Sequence, residues 1–124
     1  MKKILVVDDS KFMRAMIKNI LKNNDYEFVE AGDGQEAIDC YLKEKPDIVL
    51  MDITMPGMSG LEALKKIRAL DLEAQVIMCS AVGQENIIHE AILEGAIDFI
   101  VKPFKEDVLK RTVCATAYRE SRGE

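Results

Sequence analysis

Five short runs of apolar residues, separated by segments with helical periodicity, constrain the fold of this 124-residue chain more than any other feature. Within each run the apolar residues are consecutive, which is typical of strands that are covered on both faces. Strands that alternate with single helices predict a parallel sheet with right-handed crossovers and helices on both faces. The runs cover residues 4–7, 28–31, 48–51, 76–79 and 99–101.

Each segment between the runs has apolar residues three and four positions apart, which predicts an amphipathic helix. Ser10 is a candidate cap for the first helix, and Ser59 with Glu62 forms a capping-box pattern before the third. Pro46 and Gly95 are expected to end the second and fourth helices. The residues predicted to face inward are Phe12, Met13, Met16, Ile17, Ile20 and Leu21 in the first helix, Ala37, Ile38, Tyr41 and Leu42 in the second, Leu61, Leu64, Ile67 and Ala69 in the third, Ile87, Ile88, Ala91 and Ile92 in the fourth, and Val108, Leu109, Thr112 and Val113 in the fifth. The predicted architecture is an α/β fold of the (βα)₅ type, with a doubly wound, five-stranded parallel sheet.

Composition excludes several classes of function. The net charge is −5 and no basic stripe is visible, which argues against nucleic acid as a direct ligand. No apolar run reaches the roughly 18 residues that a membrane-spanning helix needs. The apolar run at residues 4–7 is too short for a signal peptide, so we expect a cytoplasmic protein that does not contact a membrane.

Charged side chains follow three of the apolar runs. Asp8 and Asp9 come after the first run, Asp52 after the third and Lys102 after the fifth, while Ser80 follows the fourth. Because the carboxyl ends of parallel strands lie at one edge of the sheet, these side chains are expected to meet there. Each contact between like charges costs about 4 kcal/mol at about 4 Å and an effective dielectric near 20. A divalent cation together with the lysine would offset this repulsion and leave one carboxylate for chemistry.

Four motifs in order along the chain resemble those of receiver domains of two-component response regulators. They are Val-Val-Asp-Asp-Ser at 6–10, Met-Asp-Ile-Thr-Met-Pro-Gly at 51–57, Cys-Ser-Ala at 79–81 and Phe-Ile-Val-Lys-Pro-Phe at 99–104. The resemblance implies a flavodoxin-like sheet with strand order 2-1-3-4-5. It also implies a receiver domain over residues 1–120, followed by a polar tail at 121–124. Within the family, the segments 79–83 and 98–104 are most similar to the stand-alone chemotaxis regulators.

The resemblance also implies roles for the charged side chains. Asp52 would be the phosphoacceptor, and Lys102 would contact a phosphoryl oxygen. Asp9 would ligate Mg²⁺ directly and Asp8 through water, with Asp52 and the backbone carbonyl of Thr54 completing the protein ligands. Mn²⁺ is an alternative metal. The only reactions expected of the chain are its own phosphorylation and dephosphorylation, so it is not expected to be an enzyme.

A conformational switch is implied in the same way. The Ser80 hydroxyl would move towards the phosphoryl group, and Phe99, where the family often has tyrosine, would turn inward. The readout surface would be the face formed by the fourth helix, the fifth strand and the fifth helix, where Cys114 and Tyr118 are candidate exposed contacts. The partners implied are a histidine kinase of the CheA type, a target protein such as the flagellar switch, and a phosphatase.

Two further features concern the lifetime of the acyl phosphate and the backbone conformation beside the site. Thr54 and Val82 occupy the positions that tune hydrolysis in receivers, and neither carries an amide or a carboxylate that could orient a water molecule. We therefore expect slow to moderate hydrolysis of the acyl phosphate. The resemblance also predicts a cis peptide bond between Lys102 and Pro103.

Other protein classes fit less well. A haloacid-dehalogenase-like phosphatase would carry its nucleophile after the first strand in an Asp-x-Asp pattern, whereas this chain has adjacent aspartates there. A flavodoxin-like flavin carrier needs a Ser/Thr-rich phosphate loop at that place, and a dinucleotide-binding module needs Gly-x-Gly-x-x-Gly. The alternative that stays open is a receiver from a longer regulator with a DNA-binding or enzymatic output domain.

Overall fold

The computed structural model describes residues 1–22 and 25–119, and the predicted tail at 121–124 lies outside the described residues. Strands and helices alternate along the described chain, in the order β1 (Lys2–Val7), α1 (Lys11–Leu21), β2 (Tyr26–Ala31), α2 (Gly34–Glu44), β3 (Ile48–Asp52), α3 (Gly60–Leu70), β4 (Val76–Ser80), α4 (Glu85–Leu93), β5 (Asp98–Val101) and α5 (Glu106–Ala117). The strands form one parallel sheet in the order β2-β1-β3-β4-β5. The predicted fold and strand order are confirmed.

Alternate residues of each central strand contribute to two cores, one on each face of the sheet. In β1, Ile4 and Val6 pack with α1 and α5, whereas Leu5 and Val7 pack with α2, α3 and α4. The strands β3 and β4 are buried along their whole length. Coverage of both faces explains why these runs are apolar at every position.

The edge strand β5 departs from that prediction. Only Ile100 is buried in it, and the side chains of Phe99 and Val101 are each 43% exposed. The reason is that β5 is an edge strand with a neighbouring strand on one side only, and open cavities border Phe99 and Val101 on the sides of α4 and α5. The run at 99–101 therefore presents apolar surface to solvent.

The ends of the helices follow the capping signals. The Ser10 side chain accepts a hydrogen bond from the Met13 amide at 3.1 Å, and the Ser59 side chain accepts one from the Glu62 amide at 3.2 Å. Gly95 follows α4 with a φ of +104°, a backbone conformation that suits glycine. Each N-terminal cap fixes the short connection between the carboxyl end of a strand and its following helix.

Four residues predicted to face inward are exposed. Phe12 is 76% exposed, Leu42 53% and Ile92 44%, and Ala69 is also exposed. Successive helical residues are about 100° apart around the axis. Leu42 and Ile92 each follow a buried residue and so lie beside the inward stripe, while Ala69, two positions after Ile67, lies on the opposite face. The buried stripes of these helices are narrower than predicted.

No described helix is both long and apolar enough to cross a bilayer.

Candidate functional site

Three carboxylates meet at the carboxyl edge of the sheet. Asp8 directly follows β1, and Asp52 is the last residue of β3. One carboxylate oxygen from each of Asp8, Asp9 and Asp52 lies within 4.8 Å of the others. Asp8 and Asp52 are 2% and 8% exposed, whereas Asp9 is exposed. The predicted cluster therefore has two buried members and one member that faces solvent.

Lys102 reaches the same cluster from the end of β5. Its ammonium nitrogen donates to Oδ2 of Asp8 at 2.9 Å and to Oδ1 of Asp52 at 3.0 Å. Its backbone amide donates to the Ser80 carbonyl at 2.7 Å, and the Lys102–Pro103 peptide bond is cis, as predicted. One cation thus bridges the two buried carboxylates.

The electrostatics of the site reflect burial and this bridge. Burial raises the pKa of Asp52, since it disfavours the charged form, and Asp8 and Asp9 add to the rise while Lys102 opposes it. Burial acts to lower the pKa of Lys102, but its hydrogen bonds to Asp8 and Asp52 leave the pKa above its ordinary value. The lysine therefore stays protonated at neutral pH.

Arg14, a residue that the sequence analysis did not single out, fixes the backbone next to the cluster. Its Nη1 donates to the carbonyl of Asp8 at 2.5 Å, and its Nε donates to Oε1 of Glu30 at 2.9 Å. The Asp8 carboxylate also accepts from the amide of Ser10 at 2.9 Å. These contacts hold Asp8 in place from both its backbone and its side chain. The sequence feature that could have indicated this role is the position of Arg14, one turn after the start of α1.

Gly60 is positioned where only a glycine fits. A Cβ atom at this residue would lie 2.0 Å from the carbonyl oxygen of Asp52, which is far inside van der Waals contact. The Gly60 amide also donates to the carbonyl of Ile53 at 2.8 Å. The start of α3 is therefore held directly against the residue at the centre of the cluster.

The residues predicted to form the switch lie on the neighbouring part of the sheet edge. Ser80, 2% exposed, ends β4, and Phe99 on β5 points outward. A cavity of about 300 Å³ opens between them and is also lined by Val82 and Ile88. Cys114 and Tyr118 are exposed on α5 and just after it, as predicted. The cavity gives the ring of Phe99 space on the side of α4.

Thr54 and Val82, the predicted hydrolysis-tuning residues, are both exposed, in the loops that follow β3 and β4. Gln84, which the sequence analysis did not assign, joins the two loops that carry them. Its Nε2 donates to Oγ1 of Thr54 at 2.9 Å, and its Oε1 accepts from the amide of Ala81 at 2.7 Å. No sequence pattern links residues 54 and 84, so only the folded structure reveals this bridge.

The donor set at this edge suits a hard divalent cation. The three carboxylates offer oxygen atoms only, and Mg²⁺ prefers oxygen ligands with several retained waters. The exposure of Asp9 leaves the cluster open to solvent on one side, as a partly hydrated ion requires. The residues present therefore fit the predicted metal.

Comparisons with known proteins agree with this geometry. The chain is 59% identical to the chemotaxis protein CheY of Listeria monocytogenes over 86% of this chain and 91% of that protein, and 54% identical to CheY of Bacillus subtilis over 85% and 88%. The solved structure of the chemotaxis protein CheY4 of Vibrio cholerae superposes with a TM-score of 0.87 at 31% identity, over 94% of this chain and 98% of that one. The family model for the response regulator receiver domain matches residues 4–114. The chain therefore belongs to the response regulator receiver domain family.

Proposed function

We propose that this chain is a response regulator that accepts a phosphoryl group on Asp52 and then binds a target protein through the face formed by α4, β5 and α5. The single observation that supports this most is the position of Asp52. Its carboxylate is nearly buried, faces the carboxylates of Asp8 and Asp9, and contacts the ammonium of Lys102 at 3.0 Å. These contacts hold the carboxylate in a fixed orientation, from which an oxygen can act as the nucleophile.

The phosphodonor would be a phosphohistidine of a histidine kinase. An oxygen of Asp52 attacks the phosphorus, the P–N bond breaks, and its electron pair stays on the ring nitrogen. The ring, protonated on its other nitrogen, leaves as neutral imidazole, and Asp52 becomes an acyl phosphate. The chain thus supplies the nucleophile for its own modification and is not an enzyme in the usual sense.

Receiver domains generally bind Mg²⁺ in an acidic pocket, and we assign that site here to Asp8, Asp9, Asp52 and the backbone carbonyl of Thr54. When bound, the metal supplies positive charge that offsets the charge of the transferring group. Mn²⁺ offers the same charge with similar ligand preferences. Lys102 is the positive charge that the protein itself supplies, since its ammonium can contact a phosphoryl oxygen as a point charge.

Phosphorylation adds about −1.5 to −2 charges and new acceptor oxygens at the sheet edge. We assign the response to Ser80, whose hydroxyl would move towards these oxygens, and to Phe99, whose ring would fill the cavity beside α4. Both residues line that cavity. The changed surface would include the exposed Cys114 and Tyr118, and the similarity to CheY proteins points to a target in chemotaxis, such as the flagellar switch.

The test is phosphorylation by acetyl phosphate with Mg²⁺, followed by intact-mass spectrometry. Wild type should gain one phosphoryl group only when Mg²⁺ is present, and Asp52→Asn should gain none. Asp39→Asn is a matched control, because Asp39 is an exposed aspartate of α2 away from the sheet edge. Equal labelling of the Asp52→Asn variant, or stable phosphate elsewhere on wild type, would overturn the proposal.

A further inference from the structure

Gln84 connects the two loops that border the phosphoacceptor. It precedes α4 at the N-cap position, yet its side chain does not cap that helix. The amide group instead spans from Oγ1 of Thr54, in the loop after β3, to the backbone amide of Ala81, in the loop after β4. Both polar atoms of the side chain are therefore hydrogen-bonded, and one of them reaches a residue 30 positions away in the sequence.

We propose that Gln84 is a positioning residue that holds the loop after β4 in its unphosphorylated arrangement and so opposes the movement of Ser80. The inference rests on the proposed function, because it concerns how readily the chain responds to a phosphoryl group on Asp52. Gln84 is not assigned any contact with the reacting atoms.

The end of the bridge at Thr54 is firmly anchored. The preceding residue, Ile53, is 3% exposed, and its amide donates to the Cys79 carbonyl at 3.2 Å. Its carbonyl accepts from the amide of Gly60 at the start of α3. The loop after β3 is therefore tied to both β4 and α3, and it provides a fixed point for Gln84.

The other end of the bridge lies where the switch must move. Ala81 directly follows Ser80, so when the loop after β4 moves with the Ser80 hydroxyl towards Asp52, the Ala81 amide is drawn along with it. The hydrogen bond from that amide to Oε1 of Gln84, 2.7 Å long, must then lengthen or carry Gln84 with it. Gln84 in turn cannot follow without loosening its contact with Thr54.

The helix that follows Gln84 is shallowly buried. In α4 only Ala91 is fully buried; Ile87 and Ile88 pack against the core while partly exposed, and Leu93 is 74% exposed. A helix with a narrow buried face is easier to displace than one buried along its length. The Gln84 bridge therefore adds to the core contacts that fix the loop and the first turn of α4 relative to the site.

The size of the effect follows from two exposed hydrogen bonds. Each contributes modestly, since water competes for exposed donors and acceptors. We expect that removing the Gln84 amide in Gln84→Ala tightens the binding of beryllofluoride with Mg²⁺ by about twofold to fivefold. Beryllofluoride imitates a bound phosphoryl group without being hydrolysed, so its affinity reports the switch separately from chemistry.

The experiment is a beryllofluoride titration followed by ¹⁵N NMR of the Ser80 and Ala81 amides, since the chain has no tryptophan to report the change. In Gln84→Ala the Ala81 amide signal should also shift before any beryllofluoride is added, because its acceptor is gone. Gln35→Ala is the matched control, since Gln35 is an exposed glutamine of α2 with one side-chain hydrogen bond to Asp39.

Changes at Thr54 test the other half of the bridge. Thr54→Val keeps the shape and removes the acceptor, so it should tighten beryllofluoride binding, and Thr54→Ser, which keeps a hydroxyl, should show a smaller gain. The effect of Gln84→Ala should shrink in a Thr54→Val background, because residues in one network are not additive.

The outcomes separate this inference from the proposed function. If wild type shows no Mg²⁺-dependent response to beryllofluoride, the proposed function fails. If wild type responds, but Gln84→Ala binds beryllofluoride equally or more weakly, only the role of Gln84 is overturned. A lower melting temperature without a change in beryllofluoride affinity would likewise assign Gln84 a purely structural role.

Discussion

Lys102 and Asp52, 50 positions apart in sequence, are joined by a hydrogen-bonded ion pair of 3.0 Å between Nζ and Oδ1. The same ammonium contacts Asp8 at 2.9 Å, so it partly neutralises two buried carboxylates. The same carboxylates, with Asp9, are the ones that would hold a metal ion. Lys102 therefore supports the folded cluster and would compete electrostatically with a cation bound there.

We expect Lys102→Met to bind Mg²⁺ at least about threefold more tightly than wild type, because a competing positive charge is removed. Labelling by acetyl phosphate should nevertheless be slower by at least about tenfold, because a fixed charge that stabilises the phosphoryl oxygens is lost. Isothermal titration calorimetry and intact-mass time courses measure the two effects. Lys66→Met, at an exposed lysine of α3, serves as control, and weaker Mg²⁺ binding by Lys102→Met would contradict the expectation.

Gly60→Ala should destabilise the protein and disturb its site. The added Cβ would lie 2.0 Å from the Asp52 carbonyl oxygen, a backbone atom that cannot move without shifting β3. We expect a loss of at least about 2 kcal/mol in the free energy of unfolding, measured with urea, together with slower phosphorylation. In Gly32→Ala the new Cβ would meet its nearest neighbour at 3.6 Å, an ordinary contact, so this control should retain most of its stability. A Gly60→Ala protein as stable as the control would show that α3 can withdraw from Asp52.

The fold was predictable because its signals are local and repeated. The central strands contain uninterrupted apolar runs because both of their faces are covered, each helix has an apolar stripe, and the second and fourth helices also have a stop signal that can be read directly. The gathering of Asp8, Asp52 and Lys102 follows from the same logic, because parallel strands place their carboxyl ends together. The positive φ at Gly95 was likewise implied by its position after α4.

The predictions from the sequence were wrong where packing between distant parts of the chain determines which side chains are exposed. The exposure of Phe12 and Ile92 depends on how far a neighbouring element reaches, which a periodic pattern does not encode. Phe99 and Val101 are exposed because β5 is an edge strand, and their apolar run resembles that of a central strand. Gln84 was missed for a related reason: its contact with Thr54 depends on the distance between two loops, and single polar residues in loops carry no periodic signal.

In the proposed function, the lifetime of a phosphoryl group on Asp52 depends on the side chains of the neighbouring loops. Val82, in the loop after β4, is 81% exposed and offers no group that could orient an attacking water molecule. We expect slow to moderate decay in wild type and decay at least about threefold faster in Val82→Glu, because a carboxylate can orient that water. Decay of purified phosphoprotein is measured after removal of acetyl phosphate. Leu72→Glu, at a residue 75% exposed between α3 and β4, adds the same charge elsewhere, and unchanged or slower decay of Val82→Glu would count against this prediction.

The ion pairs of Glu30 tie α1 to β2 near the cluster. Lys18 donates to Oε2 of Glu30 at 2.6 Å, and Arg14, which also contacts the Asp8 carbonyl, donates to Oε1. The hydrogen bond from Lys18 lowers the pKa of Glu30 most and Arg14 lowers it further, while partial burial opposes them. The folded pKa lies below the ordinary value of 4.5, so the ionised form is favoured by folding.

Glu30→Gln should therefore lower the free energy of unfolding at neutral pH by about 0.5 kcal/mol, a modest value because the pairs are partly exposed. A depressed folded pKa gives stability that is fully present above the unfolded pKa and is lost as the pH falls through the lower folded value. The difference between wild type and Glu30→Gln should accordingly be constant above about pH 5 and shrink towards zero in more acidic solution. Urea unfolding across this range measures the difference, with Glu73→Gln at an exposed loop position as the control. A difference that persists unchanged in acid would show that Glu30 acts through packing, because a protonated carboxyl no longer attracts Lys18 and Arg14 as an ion.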